Sequence, residues 1–342
     1  MSIEVNIRKD LGGFRLDAAF SAGNEVLALL GASGCGKSMT LRCIAGIERP
    51  DAGRIVVDGR VLFDSEKRID LRPQERRVGL LFQNYALFPT MTVEQNIAAG
   101  LRKKDGARVA EYIRRFRLEG LERQLPGQLS GGQQQRAALA RMLITEPELL
   151  MLDEPFSALD AHLRWEMEQE VMAVTRSFGG TTLLVSHNRD EVYRIASSIA
   201  VYGRGTIDRV GDKWDLFRDP ETANAARLTG CKNLAAASWA EGRVTVPEWG
   251  LTLAAPDPGR PVSCAGIRAH FFKGVEQPGE NVFHYEVLSA IEDTFSVILM
   301  IRPDGAAENA ALRWELSKDD YAALPAGNLA CIAPENVLLL NG

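Results

Sequence analysis

The chain has 342 residues, a formal net charge of −5 and five cysteines. That length allows two domains, and the slightly acidic balance gives no support for a large nucleic-acid-binding surface. Cys35, Cys43, Cys231, Cys264 and Cys331 form no C-x-x-C metal pair, and their odd number and scatter suit a reduced, intracellular protein.

The N-terminal stretch "MSIEVNIRKDLGG" has no apolar core of a secretory signal. Runs such as "EVLALLG" and "SVILMI" fall far short of the roughly 20 residues that cross a bilayer, so the expectation is a soluble protein, peripheral if it works at a membrane. Residues 1–230 alternate between strand and helix patterns. "EVLALL" is a buried-strand run entering a Gly-rich turn, and "SMTLRCIAGI" behind it has helical spacing, with Gly46 and Pro50 as its stop. "RRVGLLF" reads as a strand, "TVEQNIAAGL", "ARVAEYIRRF" and "GGQQQRAALARMLI" as helices, and "ELLMLD" and "TTLLVSH" as buried strands. This is an α/β pattern with a largely parallel sheet and a helical subdomain over about 84–147. In residues 231–342 helical periodicity fades. Short Val-, Ile-, Phe- and Trp-rich runs between Pro and Gly predict a small all-β, barrel-like domain.

Within the α/β part, "GASGCGKS" fits G-x-x-x-x-G-K-[ST] with a strand before it and a helix after it. Gly31, Ala32, Ser33, Gly34, Cys35 and Gly36 offer backbone N–H groups to phosphate oxygens, Lys37 reaches the β- and γ-phosphates, and the Ser38 hydroxyl suits Mg²⁺. Met39 follows and is counted with this ATP-binding loop. In "ELLMLDEP", Asp153 ends the strand and suits an indirect hold on Mg²⁺. Glu154 points elsewhere, because successive strand residues alternate, and is the candidate to polarise an attacking water; the other reading is an ordinary acidic strand end. Gln83 ends a strand-like run, and its amide can meet a metal-bound water and a γ-phosphate oxygen, or it is a plain turn residue. His187 either hydrogen-bonds the γ-phosphate or caps the helix starting near Asn188. A second anion site opens "LSGGQQQR", where Ser130, Gly131, Gly132 and Gln133 expose the N–H groups and positive end of a helix.

Taken in order, "GASGCGKS", "LLFQ", "LSGGQQQR", "LLMLDEP", "SALD" and "LLVSH" resemble the ATP-binding-cassette (ABC) transporter ATPases over essentially all of residues 1–230. The resemblance implies an α/β P-loop NTPase fold and a head-to-tail homodimer. Ser130, Gly131, Gly132 and Gln133 of one copy then complete the ATP site on the other copy's Gly31–Ser38 loop. It gives Lys37 and Ser38 to phosphate and Mg²⁺, Asp153 to metal support, and Glu154 to the catalytic base. Gln83 falls to metal and coupling, His187 to the γ-phosphate, and "SALD" (157–160) to the interface, with Asp160 also a candidate N-cap. It implies two transmembrane permease partners docking on "NYALFPTMTVEQNI" through Tyr85, Leu87, Phe88 and Met91, some of which could equally be core. A solute-binding protein joins the complex, with no nucleic acid, at the cytoplasmic face of the inner membrane. Two features depart from the pattern. Leu11 stands where the family puts an adenine-stacking aromatic, leaving Phe14 as the nearest ring, which could equally face the core, and Asn188 follows His187 where Asp is commoner.

The C-terminal region resembles the TOBE-type appendage of importer ATPases. "TGCKN" (229–233), "GIRAHFF" (266–272) and "LRWELS" (312–317) are closest to the sulfate/molybdate branch. That resemblance implies uptake of molybdate, tungstate or sulfate, with sugar, polyamine or iron as the alternative solutes. Ser289, Thr294 and Ser296 are candidates for a regulatory anion; a dimerisation and spacer role is the other reading, and Arg268 and His270 read as ordinary strand residues. A soluble ABC ATPase acting on DNA or ribosomes is disfavoured: there is one cassette and no heptad array.

Overall fold

The computed structural model describes residues 1–101, 103–157, 159 and 161–342, without the side chains at 161 and 162. Two compact units result, Met1–Lys213 and Trp214–Gly342. The shift in composition predicts the division at 230/231 instead. The helix Ala223–Leu228 looks like its predecessors in sequence, but its Ala226 packs with Cys231, Cys264, Leu338 and Leu340.

The first unit runs β1 (Ile3–Asp10), β2 (Arg15–Ala22), β3 (Val26–Leu30), α1 (Lys37–Ala45), β4 (Ala52–Val57), β5 (Arg60–Asp64), β6 (Ile69–Asp70), β7 (Val78–Leu81), α2 (Val93–Ala98), α3 (Gly106–Arg115), α4 (Gly131–Leu143), β8 (Leu149–Asp153), α5 (Ala161–Phe178), β9 (Thr182–Ser186), α6 (Arg189–Ile195), β10 (Ser198–Tyr202) and β11 (Ile207–Asp212). Two kinds of strand appear. In β1, Ile3, Val5 and Ile7 are buried and the residues between them exposed, as expected of an antiparallel sheet with one wet face. That sheet has the order β2-β1-β4-β5-β6. In β8 and β9 every residue is buried. They lie inside the sheet β11-β10-β3-β9-β8-β7, parallel throughout except for the β10–β11 pair.

Strand alternation then divides the interior. Leu149, Met151, Leu183 and Val185 face one core with α1 and the antiparallel sheet. Leu150, Leu152 and Leu184 face a second core with α2, α3, α4 and α5. Each fully buried Leu of this kind contributes about 1.5–3 kcal/mol relative to an exposed one. The central sheet therefore carries α1 on one face and α4 on the other.

The second unit is β-rich. Its sheets comprise a three-stranded sheet over 233–236, 264–267 and 337–340, a meander over 238–254, and five strands including the hairpin Val282–Glu292/Ser296–Pro303. Phe272, Phe283, Tyr285 and Trp314 make its aromatic centre. The buried Arg268 donates to the Thr229 carbonyl at 2.7 Å and to the Phe217 carbonyl at 2.6 Å, so its charge serves local structure.

Candidate functional site

β3 delivers the chain into the Gly31–Ser38 loop, and α1 carries it away. Gly36 turns with φ 108°, and a Cβ there would lie 2.8 Å from Leu16 Cδ1, so only glycine fits. The N–H groups of Ser33, Gly34 and Gly36 have no acceptor among the described residues. Lys37 is buried, and its ammonium donates to the Gly31 carbonyl (2.7 Å) and the Ala32 carbonyl (2.8 Å), with Cys35 Sγ at 3.6 Å. Unpaired donors beside a cation folded onto its own loop make a cradle whose chemistry fits a phosphate chain.

Next on α1, Ser38 donates from Oγ to Asp153 Oδ1 at 2.7 Å. Burial pushes the Asp153 carboxyl above the ordinary carboxylate range, against the Ser38 hydrogen bond and the pull of Arg42 and Lys37. A hydroxyl and a carboxylate are hard oxygen donors of the kind Mg²⁺ takes, and no group of three His, Cys, Asp or Glu among the described residues could hold a metal alone. The residues fit Mg²⁺ that is held jointly with phosphate.

The next residue leaves the strand. Glu154 has φ 45° and its N–H donates to the Val185 carbonyl, so its side chain departs from the direction of Asp153. Gln83 and His187 converge on that carboxylate. Gln83 Nε2 lies 3.4 Å from Glu154 Oε2, and His187 Nδ1 lies 3.1 Å from Oε1. His187 is half exposed and Glu154 mostly buried. The helix-capping alternative for His187 falls to its neighbour, because Asn188 Oδ1 accepts from the Asp190 N–H at 2.9 Å. A small cavity of about 80 Å³ adjoins the triad, lined by Glu154, Ser157, Arg164, Ser186, His187, Asn188 and Glu191. Sequence reasoning does not single out Arg164, Ser186 or Glu191. The spacing Asn188-x-x-Glu191, a helix-start pattern, is the signal that could have found the last of them.

At the second anion site Ser130 is the N-cap of α4. Its Oγ accepts from the Gln133 N–H and Gln133 Oε1 accepts from the Ser130 N–H, a reciprocal capping box. The Gly131 and Gly132 N–H groups keep no acceptor among the described residues. Ala158 and Asp160 of the "SALD" segment, including the expected Asp160 cap, lie outside the described residues; Ser157 donates to the Glu154 carbonyl at 3.0 Å.

Of the four apolar residues after Gln83, Tyr85 is buried and Leu87 is packed against the core, while Phe88 and Met91 are exposed. The fully buried Asn96 donates to the Phe88, Met91 and Thr92 carbonyls and shapes this loop. Arg141 donates to the carbonyls of Tyr85 and Ala86, both at positive φ, and sits over the Phe88 ring. Phe14 is half buried with its ring edge against Gly36, whereas Leu11 is exposed.

Comparison with known proteins gives these sites a context. The ABC transporter family model matches residues 16–157. The spermidine/putrescine import ATP-binding protein PotA of Clostridioides difficile is 42% identical over 217 residues, covering 62% of this chain and 61% of that protein. The sulfate/thiosulfate import ATP-binding protein CysA 1 of Chromobacterium violaceum is 40% identical over 287 residues, 79% of this chain and 78% of the relative. The molybdenum import ATP-binding protein ModC of Rhodospirillum rubrum is 39% identical over 228 residues, 66% of this chain and 62% of the relative. Against several such relatives the chain spans only 54% to 61% of their length. A solved dimeric structure of a post-hydrolysis state of the ATP-binding cassette MJ0796, bound to ADP and Pi, superposes with a TM-score of 0.52 at 25% identity, covering 62% of this chain and 98% of that one.

Proposed function

Because the chain belongs to the ABC transporter family, as an ATP-binding protein of the import type, we propose that it is the ATP-hydrolysing subunit of an importer for an oxyanion. The observation that carries the hydrolytic reading is the convergence of Gln83 and His187 on Glu154, the residue that follows the Ser38-bonded Asp153.

The free N–H groups of the Gly31–Ser38 loop take phosphate oxygens, and Lys37 exchanges the Gly31 and Ala32 carbonyls for them. Ser38, Asp153 and Gln83 would hold Mg²⁺, which when bound supplies positive charge at the phosphate oxygens. Glu154 takes a proton from the attacking water as its oxygen bonds the γ-phosphorus and the bond to the bridging oxygen breaks, releasing ADP and phosphate. His187 orients Glu154 through the 3.1 Å contact and offers its other ring nitrogen to the γ-phosphate. In a head-to-tail homodimer, Ser130, Gly131, Gly132 and Gln133 complete the partner's ATP site, where the Gly131 and Gly132 N–H groups, without an acceptor among the described residues, find one. Phe88 and Met91 offer the apolar contact for a permease segment at the cytoplasmic face of the membrane, where a solute-binding protein joins through the permeases.

For the solute, the length of the likeness is the support. The likeness to the sulfate/thiosulfate relative takes in 79% of this chain, more than the first unit holds, and so runs into the β unit, whereas the polyamine likeness takes in 62%. The test is uptake in cells whose only copy carries Glu154→Gln. Loss of labelled sulfate, molybdate or tungstate uptake is expected, and normal uptake of all three refutes the oxyanion assignment. The purified variant should still bind ATP with hydrolysis down by about 10²-fold or more.

A further inference from the structure

Glu191 has no part in that mechanism, yet its carboxylate is buried on α6 beside the site. It accepts from Ser186 Oγ at 2.7 Å and from Asn188 Nδ2 at 3.2 Å, so it holds both chain neighbours of His187. This is not the usual capping box, because the Asn188 N–H goes to Ser186 Oγ (2.9 Å) and the carboxylate is turned to the hydroxyl behind the histidine. From α5, Arg164 Nε lies 3.9 Å from Glu191 Oε1, and Arg164 Nη2 donates to the Leu159 carbonyl at 3.1 Å. The platform is firm: Arg194 of α6 grips the buried Glu168 of α5 at 2.6 and 2.9 Å.

A buried carboxylate is a poor way to stabilise a short helix, which Val192 and Ile195 already anchor. What it specifies is geometry. We propose that Glu191 is a positioning residue: by holding Ser186 and Asn188 it fixes the turn that carries His187 against Glu154, and through Arg164 it ties that turn to the backbone at Leu159. The proposal rests on the hydrolytic reading above and names a control point of the same site.

The test exchanges donor and acceptor. Glu191→Gln keeps an acceptor for Ser186 but sets amide N–H₂ against the Asn188 N–H₂; adding Asn188→Asp restores that pair with its polarity reversed and keeps the Asp190 cap. In purified full-length chain, Glu191→Gln should lower kcat for Mg-ATP about tenfold with KM within about twofold, and Asn188→Asp/Glu191→Gln should recover most of the loss. Unchanged kcat, a KM rise matching the kcat fall, or a double variant no better than the single overturns the proposal. Hydrogen exchange provides a readout independent of turnover: the amides of 186–188 should exchange faster in Glu191→Ala, and unchanged exchange overturns it too. Wild-type chain that neither binds nor hydrolyses ATP would sink the hydrolytic reading instead.

Discussion

Arg76 is the most informative single residue for how the phosphate loop is supported. Its side chain is 1% exposed, yet it carries a full charge. Nε donates to the Leu71 carbonyl at 2.8 Å, Nη1 to the Cys43 and Ile44 carbonyls at 2.7 and 2.9 Å, and Nη2 to Asp70 Oδ1 at 2.8 Å. Burial lowers its pKa, and Asp70 offsets part of that. Cys43 and Ile44 lie in the last turn of α1, so the guanidinium caps the helix whose other end bears Lys37 and Ser38. Gly46 lets it in: a Cβ there would stand 2.5 Å from Nε. Arg76→Met fills similar space and removes all four bonds. Asp70 is exposed enough to rehydrate and the Cys43 carbonyl keeps the Gly46 N–H at 3.2 Å, but the Ile44 and Leu71 carbonyls are stranded at about 1–3 kcal/mol each, so we expect a loss of about 2–5 kcal/mol. For a unit of this size that is a fall of roughly 4–20 °C in Tm. Calorimetry on the full chain would read it, with the first unit's transition identified as the one that ATP raises. Arg76→Lys, with one compact ammonium, should lose part of that. A fall below about 3 °C for Arg76→Met would refute the reasoning, since the carbonyls would then have found other partners.

Two further outcomes rest on buried polar groups. Gln135 of "LSGGQQQR" is fully buried, and neither amide atom is paired among the described residues, so Gln135→Met should raise stability by about 1–3 kcal/mol in denaturant melts, and a loss of about 1 kcal/mol would contradict this. Asp153 has a folded pKa above its unfolded one, so the native state binds the extra proton and wild-type stability falls as pH rises through the window from the ordinary carboxylate value to the raised one. In Mg²⁺-free, nucleotide-free buffer, Asp153→Asn should therefore gain Tm over wild type above that window and lose the advantage below it; a difference that does not vary with pH would refute this.

Where chemistry and chain order coincide, the sequence was legible. The loop after β3, the carboxylates after β8 and the imidazole after β9 each follow a continuous apolar run, and such runs make buried parallel strands whose ends open to solvent. The supports were not legible, because their partners are backbone groups far along the chain. "RRVGLLF" predicts a strand from Arg76, but β7 begins at Val78, and Arg76 answers to carbonyls more than thirty positions earlier. Arg141 looks like a polar helix residue, yet it pins the carbonyls of Tyr85 and Ala86. No periodicity marks a side chain whose acceptor is a distant peptide group.

The two anion sites follow from the sheet. α1 packs on the face lined by Leu149, Met151, Leu183 and Val185, and α4 on the face lined by Leu150, Leu152 and Leu184. Strand alternation thus commits the two helix starts to opposite sides of one sheet. On the proposed function, a phosphate chain on Lys37 has its own chain's Glu154, Gln83 and His187 at the strand ends, while Gly131 and Gly132 present N–H groups with no acceptor among the described residues from the other layer. A second copy related by a two-fold axis is the simplest arrangement that brings such a helix start to the nucleotide. On this proposal the dimer is conditional on ATP, and sizing of Glu154→Gln with and without ATP should show dimer only with it. Monomer under both conditions would mean that Gly131 and Gly132 serve an acceptor in their own chain, and the composite-site proposal would fall.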